Sequence, residues 1–297
     1  MDALLPPVEF TYAEFTTRNI GFVSEAEQQR LFAGRVLVIG VGGMGGAAVQ
    51  ALARAGVGGF GIADIDTFEV SNLNRQVFAD LDSINQDKAA ETAKRLRRIN
   101  PQLSLEVFGS SWREQLDALL SRYPIVINGM DDIVAGIDLY RRARVHGVTV
   151  IDAYTSPLPS VTVVRPHDPR PEERLAFPSR GKDVNTLDPN VSAACFLREM
   201  EHVLVHSSSV RHIDMAVALE LVAGKRKRMS FAPMVITTGN LMAFEVVKLL
   251  LGRVPAADCR GYFFDPWNMR VERPLPRIVA APKRLLVRRF LARMVRG

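Results

Sequence analysis

"RVLVIGVGGMGG", residues 35–46, is the stretch on which the reading of this chain turns. Its first half is a short unbroken apolar run, the pattern of a parallel strand buried on both faces. Its second half puts Gly40, Gly42 and Gly45 in G-x-G-x-x-G spacing, and "GGAAVQALARAG" (45–56) continues as a helix that ends at Gly56. Strand, glycine turn and helix in that order make a phosphate-binding unit. The glycines let the backbone turn tightly and approach an anion, and the helix N-terminus favours negative charge.

Working outward, "FGIADID" (60–66), "LSLEVFG" (103–109), "IVING" (125–129) and "VTVIDA" (148–153) read as further strands. "QDKAAETAKRLRRIN" (86–100), halted by Pro101, and "DIVAGIDLYRRARVHG" (132–147) read as the helices between them. Strands and helices alternating at this spacing predict an α/β fold, a doubly wound, Rossmann-like, mostly parallel sheet. Asp64 closes the second strand about 24 residues after Gly40, where a carboxylate accepts the hydroxyls of a ribose.

The pattern breaks at residues 166–190, which hold five prolines and many charges without a sustained period. A stretch of that length reads as a functional loop or a disordered one. "NVSAACFLREMEHVLVHS" and "APMVITTGNLMAFEVVKLLLG" follow as helices, and "YFFDPW" (262–267) as a late strand. The expected organisation is one domain over 1–275, its nucleotide-binding half about 1–165 and its substrate-side half about 166–275, with a basic amphipathic tail at 276–297.

Composition narrows the classes. The 297 residues are 47% hydrophobic and 24% charged, values of an ordinary globular protein. The opening "MDALLPPVEF" has neither a basic n-region nor a small-residue cleavage site, and no uninterrupted apolar run approaches a membrane span, so the cytoplasm is the expected compartment. Two cysteines, Cys195 and Cys259, make no CxxC pair, so no zinc is expected. From Arg270 onward nine bases face Glu272, so the tail carries about +8 of a net +6 and the remainder about −2. Nucleic acid or a membrane surface is therefore a candidate partner only through that tail.

"DIDTFEVSNLNRQ" (64–76) separates a hydride-transfer enzyme from something else. Asn72, Arg75 and Gln76 follow the ribose carboxylate at once, and Lys88 comes soon after. Cations beside phosphates do little for a dehydrogenase. They suit a reaction in which charge migrates onto a leaving pyrophosphate. "NGMDD" (128–132) places Asp131 at the end of the fourth strand, where a carboxylate can hold Mg²⁺ against phosphates.

Together, "RVLVIGVGGMGG", "ADIDTFEVSNLNRQVF", "QDKAAETAKRLRRINP" and "INGMDD" resemble the ThiF/MoeB family of ATP-dependent adenylyltransferases, which includes the ubiquitin-activating enzymes. The resemblance is strong over 35–153 and fainter in "GNLMAFEVVKLLLGR" and "YFFDPW", as in zinc-less stand-alone bacterial members. It implies that Gly43 and its neighbours contact ATP, that Asp64 binds the ribose, and that Asn72, Arg75 and Lys88 meet the phosphates; Asp66 is a further nucleotide-binding candidate, set against turn or capping duty. It also implies that Asp131 is the magnesium-associated acid, and that Arg18, in "TTRNIGF", is an arginine finger reaching across a homodimer. The family's usual Thr-Asp-Asn is Met130-Asp131-Asp132 here, so the acid is Asp131 or Asp132. Where many members carry a nearby Arg the chain has Gly136, with Arg141 or Arg142 as replacements. Cys195 is the candidate thioester nucleophile, set against a packing role among the small and apolar residues around it.

The expected reaction is adenylation of a carboxylate, the C-terminus of a peptide or of a ubiquitin-like or sulfur-carrier protein, with release of pyrophosphate. The rival readings are a relative of tRNA threonylcarbamoyladenosine dehydratase, an NAD(P)-dependent oxidoreductase, and a non-catalytic scaffold that binds a carrier protein.

Overall fold

The computed structural model describes residues 9–296 except 223, 224 and 227. The opening residues 1–8, where the absence of a leader was read, lie outside the described residues. In chain order the elements of the first half are α1 (Tyr12–Thr16), α2 (Glu25–Ala33), β1 (Arg35–Ile39), α3 (Gly43–Arg54), β2 (Gly59–Ala63), α4 (Lys88–Ile99), β3 (Ser104–Phe108), α5 (Leu116–Leu120), β4 (Ile125–Asn128), α6 (Ile133–Val145) and β5 (Thr149–Asp152). The second half adds β6 (Ser160–Val164), α7 (Pro171–Arg174), α8 (Pro189–His206), α9 (Met215–Val222), α10 (Ala232–Leu250), β7 (Tyr262–Asp265), β8 (Arg270–Glu272) and α11 (Arg277–Arg296).

One eight-stranded sheet runs through both halves in the order β3-β2-β1-β4-β5-β6-β7-β8. β1 to β5 pair in parallel, as the alternating pattern predicts, and β6, β7 and β8 add antiparallel. Along β1 the side chains divide by the period of two. Val36 and Val38 join the core beneath α3, α4 and α10, while Leu37 and Ile39 join the core beneath α5 and α6. Both faces are thus covered, which is why β1, β2 and β4 contain almost no polar residue.

α10 is long and apolar enough, by length and composition, to cross a membrane, although the sequence offered no uninterrupted apolar run of that length. Thr237, Thr238, Asn240 and Glu245 interrupt it. In the structure it lies against α3 at very short range. A Cβ at Gly239 would come within 2.6 Å of both the Ala47 Cβ and the Met44 carbonyl, so the approach requires glycine there.

Residues 166–190 are ordered rather than structureless. The prolines and charges that erased the period are held by ion pairs: Glu172 by Arg141, and Glu173 by Arg144 and Arg170. Phe177, with Leu175 and Leu187, packs onto Ile137 and Cys195. Such contacts reach across roughly 30 residues and leave no local signature. The basic tail is a helix lying on α8, where Glu201 accepts from Arg288 (2.9 Å) and faces Arg284 (3.2 Å).

Candidate active site

The strand order reverses between β1 and β4, and the chain leaves those strands in opposite directions. A crevice opens there, beyond the carboxyl ends of the strands. It is a cleft of about 1010 Å³, and it gathers Gly40, Gly42, Gly43, Asp64, Asp66, Asn72, Arg75, Gln76, Lys88 and Asp131. Of the residues singled out in the sequence as site residues, these ten converge on one surface.

The glycine turn is built for close approach on both sides. Gly40 has φ +84°, and a Cβ there would lie 2.6 Å from the Gly129 carbonyl carbon. A Cβ on Gly45 would lie 1.9 Å from the Gly40 carbonyl oxygen. Gly42 is the N-cap of α3 and offers no side chain, so no side-chain cap shields the helix N-terminus that faces the cleft. Asp64 braces the turn: its carboxylate accepts from the Val41 N–H (2.8 Å) and from the Asp66 N–H (3.0 Å). Burial pushes its pKa up, opposed by those two N–H groups and by the charge of Lys88.

The cations are not equivalent. Lys88, at the first turn of α4, is buried and donates to Asp66 (2.9 Å), so its charge is already balanced. Arg75 donates only to the Ser71 carbonyl (2.7 Å) and the Asn74 side-chain oxygen (2.9 Å), both neutral. Among the described residues it has no anionic partner. Asn72 spends its oxygen on the Glu69 N–H (3.1 Å), which fixes the short turn carrying Arg75. Gln76 lies against Gly42, and its buried Oε1 has no hydrogen-bond partner among the described residues.

The choice between neighbouring acids after β4 follows from local geometry. Asp132 is the N-cap of α6 and accepts from the Val134 N–H (2.8 Å) and the Ala135 N–H (3.1 Å). Asp131 is exposed and lines both the large cleft and a smaller adjoining cavity. Asp132 is exposed and lines the same two spaces, and the two acids differ in that one Asp132 oxygen is spent on the cap. Arg141 and Arg142 are committed elsewhere, to Glu172 and to Asp117, so neither replaces the Arg absent at Gly136. Arg228 does line the cleft, although nothing in "GKRKRMS" distinguishes it from its basic neighbours.

Two candidates are not brought to the cleft. Arg18 sits in an exposed 3₁₀ turn, Thr17–Asn19. Cys195 is fully buried against Ile137 and Phe177. The far wall, unread in the sequence, comes from Tyr154, Phe196, Met200, Val203, Leu204 and Ala218. For the four on α8, Phe196, Met200, Val203 and Leu204, the sequence signal was the apolar character of that segment. Among the described residues no group of three or more His, Cys, Asp or Glu side chains is arranged to hold a metal.

The profile of the ThiF family matches residues 16–283. The chain belongs to the ThiF family. A SAMP-activating enzyme E1 from Haloferax volcanii is 33% identical over 246 residues, covering 82% of this chain and 77% of that one. A molybdopterin-synthase adenylyltransferase from Haemophilus influenzae is 36% identical over 107 residues, and the match spans 44% of its length, less than half. Among solved structures, E. coli MccB with ATP superposes with a TM-score of 0.63 at 17% identity, over 92% of this chain and 73% of that one. The fold shared with that structure is a mixed, mostly parallel α/β sheet.

Proposed function

We propose that this ThiF-family protein adenylates a carboxylate: a carboxylate oxygen attacks the α-phosphorus of ATP, the bond to the bridging oxygen breaks, and an acyl-adenylate and pyrophosphate are formed. The substrate is the C-terminus of a peptide or of a small ubiquitin-like or sulfur-carrier protein. The named relatives of the preceding section support this reading, since adenylyltransferases and an activating E1 are among them.

The observation that carries the proposal is the meeting of an uncapped helix N-terminus, Asp64, Arg75, Lys88 and Asp131 in one cleft. The first turn of α3 would take the phosphates, and Asp64 would accept the ribose while it braces the loop. Arg75, without an anionic partner, is the group able to follow charge onto the departing pyrophosphate. Lys88 would share itself between Asp66 and the phosphates.

The donor set fits magnesium, an exposed carboxylate that neither caps a helix nor pairs with a cation. Asp131 would hold the ion, which supplies charge neutralisation of the phosphates when bound. No covalent nucleophile is needed for this step, and Cys195, inside the core, receives no thioester role. Positioning and charge stabilisation suffice.

Arg18 would reach the nucleotide from the other subunit of a homodimer. Ile20 (44% exposed) and Phe22 (88% exposed) beside it form an apolar edge suited to such contact. The compartment that fits an ATP-consuming enzyme of this kind is the cytoplasm. The test is ATP–pyrophosphate exchange with peptides and with carrier proteins ending in Gly-Gly. Exchange that depends on the added carboxylate is expected. Exchange driven only by tRNA would move the reading to RNA modification, and absence of ATP binding would move it to a scaffold.

A further inference from the structure

Beside Asp131, on the side away from the glycine turn, lies a second cavity of about 80 Å³. Its roof is α7, and its walls include Asp152, Tyr154, Phe196 and Glu199. A water needs roughly 10–15 Å³ of such space, so this cavity admits a group of a few heavy atoms and not a nucleotide.

The cavity has an unbalanced donor set. α7 carries four charged side chains in the run Arg170 to Arg174, and the acids are spent on other arginines. Glu172 accepts from Arg141 Nε (3.1 Å) and from the Ser179 hydroxyl (3.0 Å). Glu173 accepts from Arg144 Nη1 (2.9 Å) and Nη2 (2.9 Å) and from Arg170 Nη2 (3.1 Å). Arg174 is left over. Its Nε, Nη1 and Nη2 are all buried and have no hydrogen-bond partner among the described residues. Its guanidinium stands over the Tyr154 ring, 5.6 Å from the centroid. The Tyr154 hydroxyl feels that charge but donates to the Arg260 carbonyl (2.8 Å) and, being neutral, cannot balance it.

Of the other acids lining the cavity, Asp131 and Asp132 stand where it meets the large cleft, and the two deeper ones are occupied. Asp152 accepts from Asn128 Nδ2 (2.9 Å), the Tyr140 hydroxyl (2.7 Å) and the Ala153 N–H (2.7 Å). Glu199 accepts from the Thr155 N–H (2.6 Å) and makes no ion pair with Arg174 within 4 Å. The group in want of a partner is a planar cation with several donors, and its complement is a carboxylate. Leaving such a cation buried and unpaired is costly, so the cavity favours an anion that arrives with a ligand.

We propose that this cavity is a specificity subsite for an acidic side chain of the substrate, within the last two residues before the carboxylate that is activated. The inference rests on the adenylation reading. The reacting carboxylate must touch the α-phosphate and so belongs in the large cleft; the small cavity adjoins it at Asp131, Tyr154 and Phe196, and takes the neighbouring side chain.

The experiment uses the full chain with Mg²⁺ and a non-hydrolysable ATP analogue. Fluorescein-labelled peptides ending in Gly-Asp, Gly-Asn, Asp-Gly and Asn-Gly are titrated by polarisation into wild type, Arg174→Gln and Arg174→Met. Wild type is expected to bind one acidic peptide about tenfold to a hundredfold tighter than its amide twin, the range of a charge-assisted hydrogen bond. Both variants are expected to lose that preference while binding the amide twin and the nucleotide as before. Equal binding of acid and amide twins by wild type overturns the subsite, as does a preference that survives in Arg174→Gln. Binding of nucleotide but of no peptide overturns it too. Should the acidic peptide and its amide twin drive pyrophosphate exchange equally in wild type, with exchange unchanged in Arg174→Gln, adenylation stands and the subsite alone falls.

Discussion

The two halves of this molecule differ in how they hold charge. In the first half, about 1–165, charged groups stand at the ends of parallel strands on short loops, and among the described residues Arg75 and Asp131 make no ion pair. In the second half charges are mostly spent in ion pairs, some within it and some reaching back to α6: Arg288 with Glu201, Glu172 with Arg141, Glu173 with Arg144. The first arrangement prepares chemistry on a ligand of fixed shape. The second shapes a wall, and the exception within it, Arg174, is where selection of a substrate would reside. The expected consequence is that damage to the first half abolishes turnover for every substrate, whereas damage to the second changes which substrate is taken.

The largest effect belongs to the chemistry. Asp131→Asn and Arg75→Ala are each expected to lower pyrophosphate exchange by about 100-fold or more with an unchanged melting curve. Wild-type exchange in either variant removes that residue from the mechanism. If Arg18 acts across the proposed homodimer, mixing Arg18→Ala with Asp131→Asn protein restores exchange, because one site of a mixed dimer regains both groups; no recovery after subunit mixing would place Arg18 outside the site.

A structural change in the same half should act differently. Gly45→Ala places a Cβ 1.9 Å from the Gly40 carbonyl, and the glycine turn must shift. A loss of about 1–3 kcal/mol in urea unfolding is expected, together with weaker ATP binding. Unchanged stability would mean the turn is softer than its packing indicates.

Next come the buried titrating groups of the substrate half. Burial, with Arg174 and His206 adding to it, pushes His202 down to about 2, and burial with Arg284 pushes His206 down to about 4. Both are neutral in the folded chain, so their contribution is complete above the unfolded value near 6.5 and is lost as pH falls through 6.5 towards 4 and below. Asp152 works in the opposite sense. Burial raises it to about 7, so its contribution is lost as pH rises from about 4 to 7. Urea midpoints measured across this range should fall less steeply on the acid side for His202→Gln than for wild type. Parallel curves would show that His202 does not report the buried state. Smallest of all, Arg288→Ala removes a half-exposed partner of Glu201 and should cost less than about 1 kcal/mol.

The same contrast explains what could be read without a structure. β1, β2, β4 and β5 are short apolar runs bounded by glycine or acid, and the loops after β1, β2 and β4 carry candidate site residues within a few positions, so local pattern sufficed. Lys88 shows the limit. Its place in the cleft was legible, but its pairing with Asp66, across 22 residues, was not. Arg141 and Arg142 appeared as replacements for an absent Arg because they lie near Gly136 in sequence, yet the turn of α6 sends them to Glu172 and Asp117. The order of residues 166–190 depends on α6 and α8 and had no local period to betray it. β6 was missed because five buried residues after two prolines resemble a loop as much as a strand.

The central claim is that the cationic turn after β2 faces a triphosphate while Asp131 holds its metal. A crystal of the full chain grown with Mg²⁺ and a non-hydrolysable ATP analogue tests it most directly. The account predicts phosphates at the N-terminus of α3, within hydrogen-bonding distance of Arg75 and Lys88, with the ion on Asp131. A nucleotide seated elsewhere, with Arg75 turned to solvent, would contradict it.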